Sequence, residues 1–105
     1  MLEERIKTGA RSLDMRRPGW ASDINTRTLD MFDSFCCIHG QLFGDFSNYD
    51  FDGFTYQYMY DNGFTIVPEN VYFMNDYPHR SAFSSDNPDW QRARELWIAE
   101  IVARR

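Results

Sequence analysis

Residues 29–46 read LDMFDSFCCIHGQLFGDF, and how this stretch folds decides the architecture around it. Counting from Phe35, the apolar residues Ile38, Leu42 and Phe43 follow at spacings of three, seven and eight. That pattern predicts one amphipathic helix, entered through Asp33 or Ser34 and left through Gly44. Its apolar face suits the centre of a small core. Gly40 inside it costs about 1 kcal/mol relative to Ala, so it is expected where another backbone or a large ring comes close.

Working outward towards the N-terminus, Leu2, Ile6, Ala10 and Leu13 form a stripe that predicts a helix over residues 2–17. Glu3 and Glu4 stand in its first turn and Arg16 and Arg17 in its last, as the helix dipole favours. Pro18-Gly19 stops it, and Trp20 is expected to fold back onto the core. Residues 22–29 are polar and read as a connector.

In the other direction, residues 45–49 read as a loop and 50–61 as a third helix ending at Asn62-Gly63, a good left-handed stop. With Phe51 on the inner face, Phe54, Thr55 and Tyr58 fall on the same side, while Tyr56 and Tyr60 point outward. Residues 64–67 and 71–74 are short β-type runs around Pro68-Glu69-Asn70, suited to a small hairpin. Residues 75–86 read as a surface loop anchored by Phe83. The last helix has Asp86 or Asn87 as cap, Pro88 in its first turn and Arg104-Arg105 at its end. Its inner stripe is Trp90, Ala93, Trp97 and Ile101. The expected fold is mainly α: about four helices on an aromatic core in a single domain spanning residues 1–105, with the hairpin as a minor element.

Charge is segregated along the chain. The net charge is −5 over 105 residues, yet residues 1–27 sum to +2, residues 28–79 to −8 and residues 80–105 to +1. The middle segment has no Lys or Arg and carries fourteen of the eighteen aromatic side chains. Without a cationic stripe, direct nucleic-acid binding is not expected. There is no apolar run long enough for a membrane span and no signal-peptide pattern at Met1, so a cytoplasmic protein is the expectation. Cys36 and Cys37 are adjacent, a spacing that disfavours a mutual disulfide and points to thiols packed in a reducing compartment.

Motifs for chemistry are sparse. Asn48, Asp50, Asp52 and Gly53 match the first half of an EF-hand loop, but its twelfth position is Met59 where a bidentate Glu is required. Cys36 and His39 would share a helix face, with His79 elsewhere, which is short of the usual four ligands. No nucleophile–base pair and no phosphate loop stands out, so neither a catalytic residue, nor a metal, nor a cofactor is assigned. Two readings of the middle segment stay open. Its carboxylates form a solvated face whose tyrosines cover the core, or Asp45, Asp50, Asp52, Tyr56, Tyr60 and Asp61 form a contact patch for a basic protein surface.

Leu13-Asp14, Pro18-Gly19-Trp20, Leu29-Asp30-Met31, Cys37-Ile38, Gly40-Gln41-Leu42-Phe43-Gly44, Gly63-Phe64 and the Trp97 helix ending in Arg104-Arg105 carry a resemblance. On them the chain resembles a group of small uncharacterised proteins of actinobacterial genomes and their phages. The likeness excludes residues 49–60 and 71–85, and it carries over no catalytic residue. It implies a phage setting, where small acidic proteins disarm bacterial defence. The leading expectation is a non-enzymatic, anti-CRISPR-like protein engaging a basic surface of a host factor through the acidic aromatic patch. The alternatives are a sponge for a small nucleotide signal, with Arg16, Arg17, Arg27 and Arg80 converging in a homo-oligomer, and a small metal-binding or enzymatic domain.

Overall fold

The computed structural model describes residues 1–45, 53–68 and 87–105. Four α-helices occur among them: α1 (Leu2–Arg16), α2 (Ile38–Phe43), α3 (Tyr56–Asp61) and α4 (Pro88–Arg104), with a 3-10 turn at Trp20–Asp23. The fold is mainly α around a cluster of aromatic rings, as its composition led one to expect.

The two long helices follow their local signals. In α1, Ile6, Ala10 and Leu13 are buried, with Leu2 half-buried, and Glu3, Glu4 and Arg16 sit at the dipole ends that favour them. In α4, the Asn87 side chain accepts from the Asp89 amide at 3.0 Å, Pro88 occupies the first turn, and Trp90, Ala93, Trp97 and Ile101 are the buried stripe. The helices lie side by side with their C-terminal ends together. At one level Trp97 reaches the backbone of Gly9, and further on Arg104 pairs with both carboxylate oxygens of Asp14, at 2.8 and 2.9 Å.

Trp97 is the hub of the core. It is fully buried, stacks on Phe64 with ring centres 5.6 Å apart, and lies perpendicular to Trp20 at 5.8 Å. Its indole N–H donates to the Gly63 carbonyl at 2.8 Å, so the ring is buried without a lost hydrogen bond. Trp20 is likewise buried, folded back by Gly19 in the left-handed region (φ 84°), and donates to Asp14.

The central stretch departs from expectation. Rather than one helix from residue 33 or 34, residues 30–37 form successive turns, and α2 begins at Ile38. Asp30 Oδ1 accepts from the Phe32 amide (3.0 Å), and Asp33 Oδ1 accepts from the amides of Phe35 (2.8 Å) and Cys36 (3.2 Å). These local bonds offer the backbone an alternative to the helix ladder. Phe35 is therefore 65% exposed and off the core face, while Ile38 and Leu42 keep their places on it. Cys37 caps α2, its sulfur accepting from the Gly40 amide at 3.2 Å. The chain leaves at Gly44 (φ 94°), where the sequence placed the exit. A Cβ on Gly40 would stand 2.3 Å from the Ser34 carbonyl oxygen, so the close backbone it admits is the preceding turn.

The third helix is also shorter. Gly53 is left-handed (φ 81°), the Thr55 side chain caps the Tyr58 amide, and α3 starts at Tyr56. This register sets Tyr56 and Met59 inward, so Tyr56 does not face outward as the longer helix implied. The helix ends on Asn62 and a left-handed Gly63 (φ 72°), as expected. Residues 64–67 are not a strand, and among the described residues there is none. Phe64, Thr65 and Val67 are instead buried irregular chain, and the proposed hairpin partner, residues 71–74, lies outside the described residues, as do Phe51 and Phe83.

Candidate functional site

The six residues expected to form an acidic aromatic patch do not share one surface setting. Tyr56 is buried, and its hydroxyl donates to the Val67 carbonyl at 2.8 Å, so it holds the chain after α3 and is not a contact residue. Tyr60 is half-buried beneath the Arg5 guanidinium, 3.9 Å above its ring, and its carbonyl accepts from the same arginine. Asp61 is exposed and accepts from Gln57 at 2.9 Å, and Asp45 is half-buried. Asp50 and Asp52 lie outside the described residues.

Among the described residues, exposed aromatic side chains with acidic neighbours lie earlier, on the turns of residues 30–35. Phe35 is 65% and Phe32 45% exposed, and Asp30 and Asp33 are both exposed. The carboxylate–amide bonds of these turns fix the loop before any partner arrives, lowering the entropy lost on binding. A local signal marked this loop. Asp30-Met31-Phe32 and Asp33-Ser34-Phe35 repeat Asp-x-Phe, and Asp commonly bonds to the backbone two residues on.

Behind the loop lies a cleft of about 510 Å³, between residues 27–32 and the first two turns of α4. Phe32 meets Trp90 edge-on at its wall, ring centres 5.5 Å apart. Arg94 ties the two sides together, donating to the carbonyls of Leu29 (2.7 Å) and Thr26 (2.9 Å). Arg27 lines the mouth with its side chain in solvent.

The cysteines and histidine are core and cap groups. Both thiols are free. Burial pushes the Cys37 thiol up to about 12, and partial desolvation, followed by the charges of Asp33 and Asp30, also raises that of Cys36. Neither is poised as a thiolate nucleophile. His39 is fully buried, its ring 5.3 Å from those of Phe43 and Phe54. Met59, the twelfth position of the EF-hand-like stretch, is buried in the core. Among the described residues no three His, Cys, Asp or Glu side chains converge as a metal site, and no helix is long and apolar enough to cross a membrane.

Three of the four arginines of the sponge reading lie among the described residues. Arg16 lies over the Phe54 ring (4.3 Å), Arg17 reaches the Leu42 carbonyl and pairs with Asp23, Arg27 stands at the cleft, and Arg80 is outside the described residues. No protein-family model, no curated protein and no solved structure matches the chain.

Proposed function

We propose that this protein is a non-enzymatic binding module that docks on a basic surface of a host protein, with the turns of residues 30–35 as its contact loop. The observation that carries the reading is the outward pair Phe32 and Phe35, set beside the exposed carboxylates of Asp30 and Asp33. A large ring exposed on a rigid loop is the kind of side chain that anchors an interface. Carboxylates around it select a positively charged partner and speed encounter. The loop belongs to the segment of residues 28–79 that is free of Lys and Arg. Proteins that handle nucleic acids present basic grooves of the complementary kind. The phage resemblance supports a stoichiometric inhibitor of a bacterial defence protein as the biological form of this activity.

Affinity capture from bacterial lysate, with the wild type beside Phe35→Ser and Asp33→Asn, tests the reading. Phe35 is exposed, and Asn keeps the turn-forming oxygen, so both variants should retain the wild-type circular dichroism spectrum. The expected result is a basic protein held at low salt, released at high salt as charges are screened, and lost with Phe35→Ser. Loss of one central aromatic anchor is worth about 2 kcal/mol or more. Capture of an identical set of proteins by all three chains would reject the loop as the contact surface.

A further inference from the structure

We infer that the cleft between residues 27–32 and the start of α4 binds a small anion bearing a flat ring, of the nucleoside monophosphate class. Its volume, about 510 Å³, falls in the range of about 300–1,000 Å³ common to small-molecule sites. The ligand class follows from what lines it. Among the described residues that line it, the charged groups are Arg27, Arg94 and one carboxylate, Asp30, a cationic balance within a chain of net charge −5.

The three charged groups have different freedom to act. Arg94 spends Nε and Nη2 on the carbonyls of Leu29 and Thr26, so it shapes the floor and lends charge. Arg27 is engaged only through its backbone amide, which donates to Asn25, and its guanidinium makes no ion pair or hydrogen bond among the described residues. It is the group available to hold a phosphate or carboxylate. Asp30 uses Oδ1 on the Phe32 amide and keeps Oδ2 for a hydroxyl or ring N–H. Phe32 is 45% exposed, lines the cleft and packs at a steep angle on Trp90, a ring on which a base can stack. Gln91 adds a side-chain amide to the wall. A cationic group, an exposed ring and polar edge readers in one cleft fit a nucleotide better than a free ion or a purely apolar ligand. The cleft shares Asp30 and Phe32 with the docking loop, but the loop's outermost ring, Phe35, does not line it.

The test is titration of the four common ribonucleoside monophosphates, their nucleosides and inorganic phosphate, followed by NMR at the Trp90 indole and Gln91 amide signals. The inference expects at least one monophosphate to move both signals, with its nucleoside and inorganic phosphate each much weaker. Arg27→Ala and Phe32→Leu should each weaken binding about tenfold or more, while Phe35→Ser leaves it unchanged. No movement with any monophosphate would overturn the inference. So would equal binding by the nucleosides or by phosphate alone, or titrations insensitive to Arg27→Ala.

Discussion

Gly9 faces the chain at the end of α3 so closely that an added Cβ would fall 1.8 Å from the Asn62 carbonyl oxygen and 3.1 Å from the Trp97 ring. Helix propensity alone says Gly9→Ala should stabilise α1 by about 1 kcal/mol. The collision is with backbone, which cannot rotate aside, and overpacking of this kind costs about 1–3 kcal/mol. Gly9→Ala is therefore expected to lower the urea midpoint, and a raised midpoint would show that α1 and the α3 terminus are not in contact. The thiols differ just as sharply. With Cys37 buried and its thiol pushed up to about 12, iodoacetamide at mildly alkaline pH should label Cys36 alone in the folded protein, and Cys37 only after denaturant is added. Mass spectrometry of the digested protein reads both. The role of Gly9 is invisible in the local pattern, because it depends on a neighbour that only folding brings near.

At the level of elements, the C-terminal ends of α1 and α4 are joined through Asp14. Its carboxylate accepts two bonds from Arg104 and one from the Trp20 indole, and Arg104 also pairs with Glu100 at 3.0 Å. The Arg104 bonds hold the Asp14 carboxyl below its usual value, against a smaller opposing desolvation. A depressed folded value means the stabilisation is complete above the unfolded value, about 3.9, and fades as pH falls through the lower folded one. Asp14 is partly exposed, so solvent screens part of the gain. Asp14→Asn should thus lower the urea midpoint at neutral pH and flatten its decline as pH falls below the unfolded carboxylate value, about 3.9. An acid limb of the same slope in both proteins would refute the assignment. Most of α1 and α4 was legible beforehand, because their stripes and caps are local. The 29–46 stretch was not, because Asp30 and Asp33 made turns and helix compete on nearly even terms, and the winner set which phenylalanines face out.

Across the whole molecule, the segregated charge is largely used internally. Arginines from the basic end segments lie on rings and carbonyls of the cation-free middle: Arg5 on Tyr60, Arg16 on Phe54, Arg17 on Leu42 and Arg94 on Leu29. Arg105 closes the C-terminal end on the carbonyls of Ala21 and Ile24. Hydrogen bonds from charged donors are worth about 1.5–3 kcal/mol, so Arg94→Met, which keeps the stem and removes the donors, should cost roughly 2 kcal/mol in urea unfolding. Unchanged stability would mean that the loop of residues 26–29 is held by other contacts. By itself the sequence determined a mainly helical chain, the limits of its two long helices, the stops at Gly19, Gly44 and Gly63, and the return of Trp20 to the core. Each of these follows from side-chain period, caps and glycine dihedrals acting over a few residues. Only tertiary structure decided that Tyr56 turns inward, that Phe32 and Phe35 turn outward, and that the arginines spend themselves on the middle segment. Burial and pairing are settled between surfaces far apart in the chain, where free energy depends on which groups meet and not on what stands beside them in sequence.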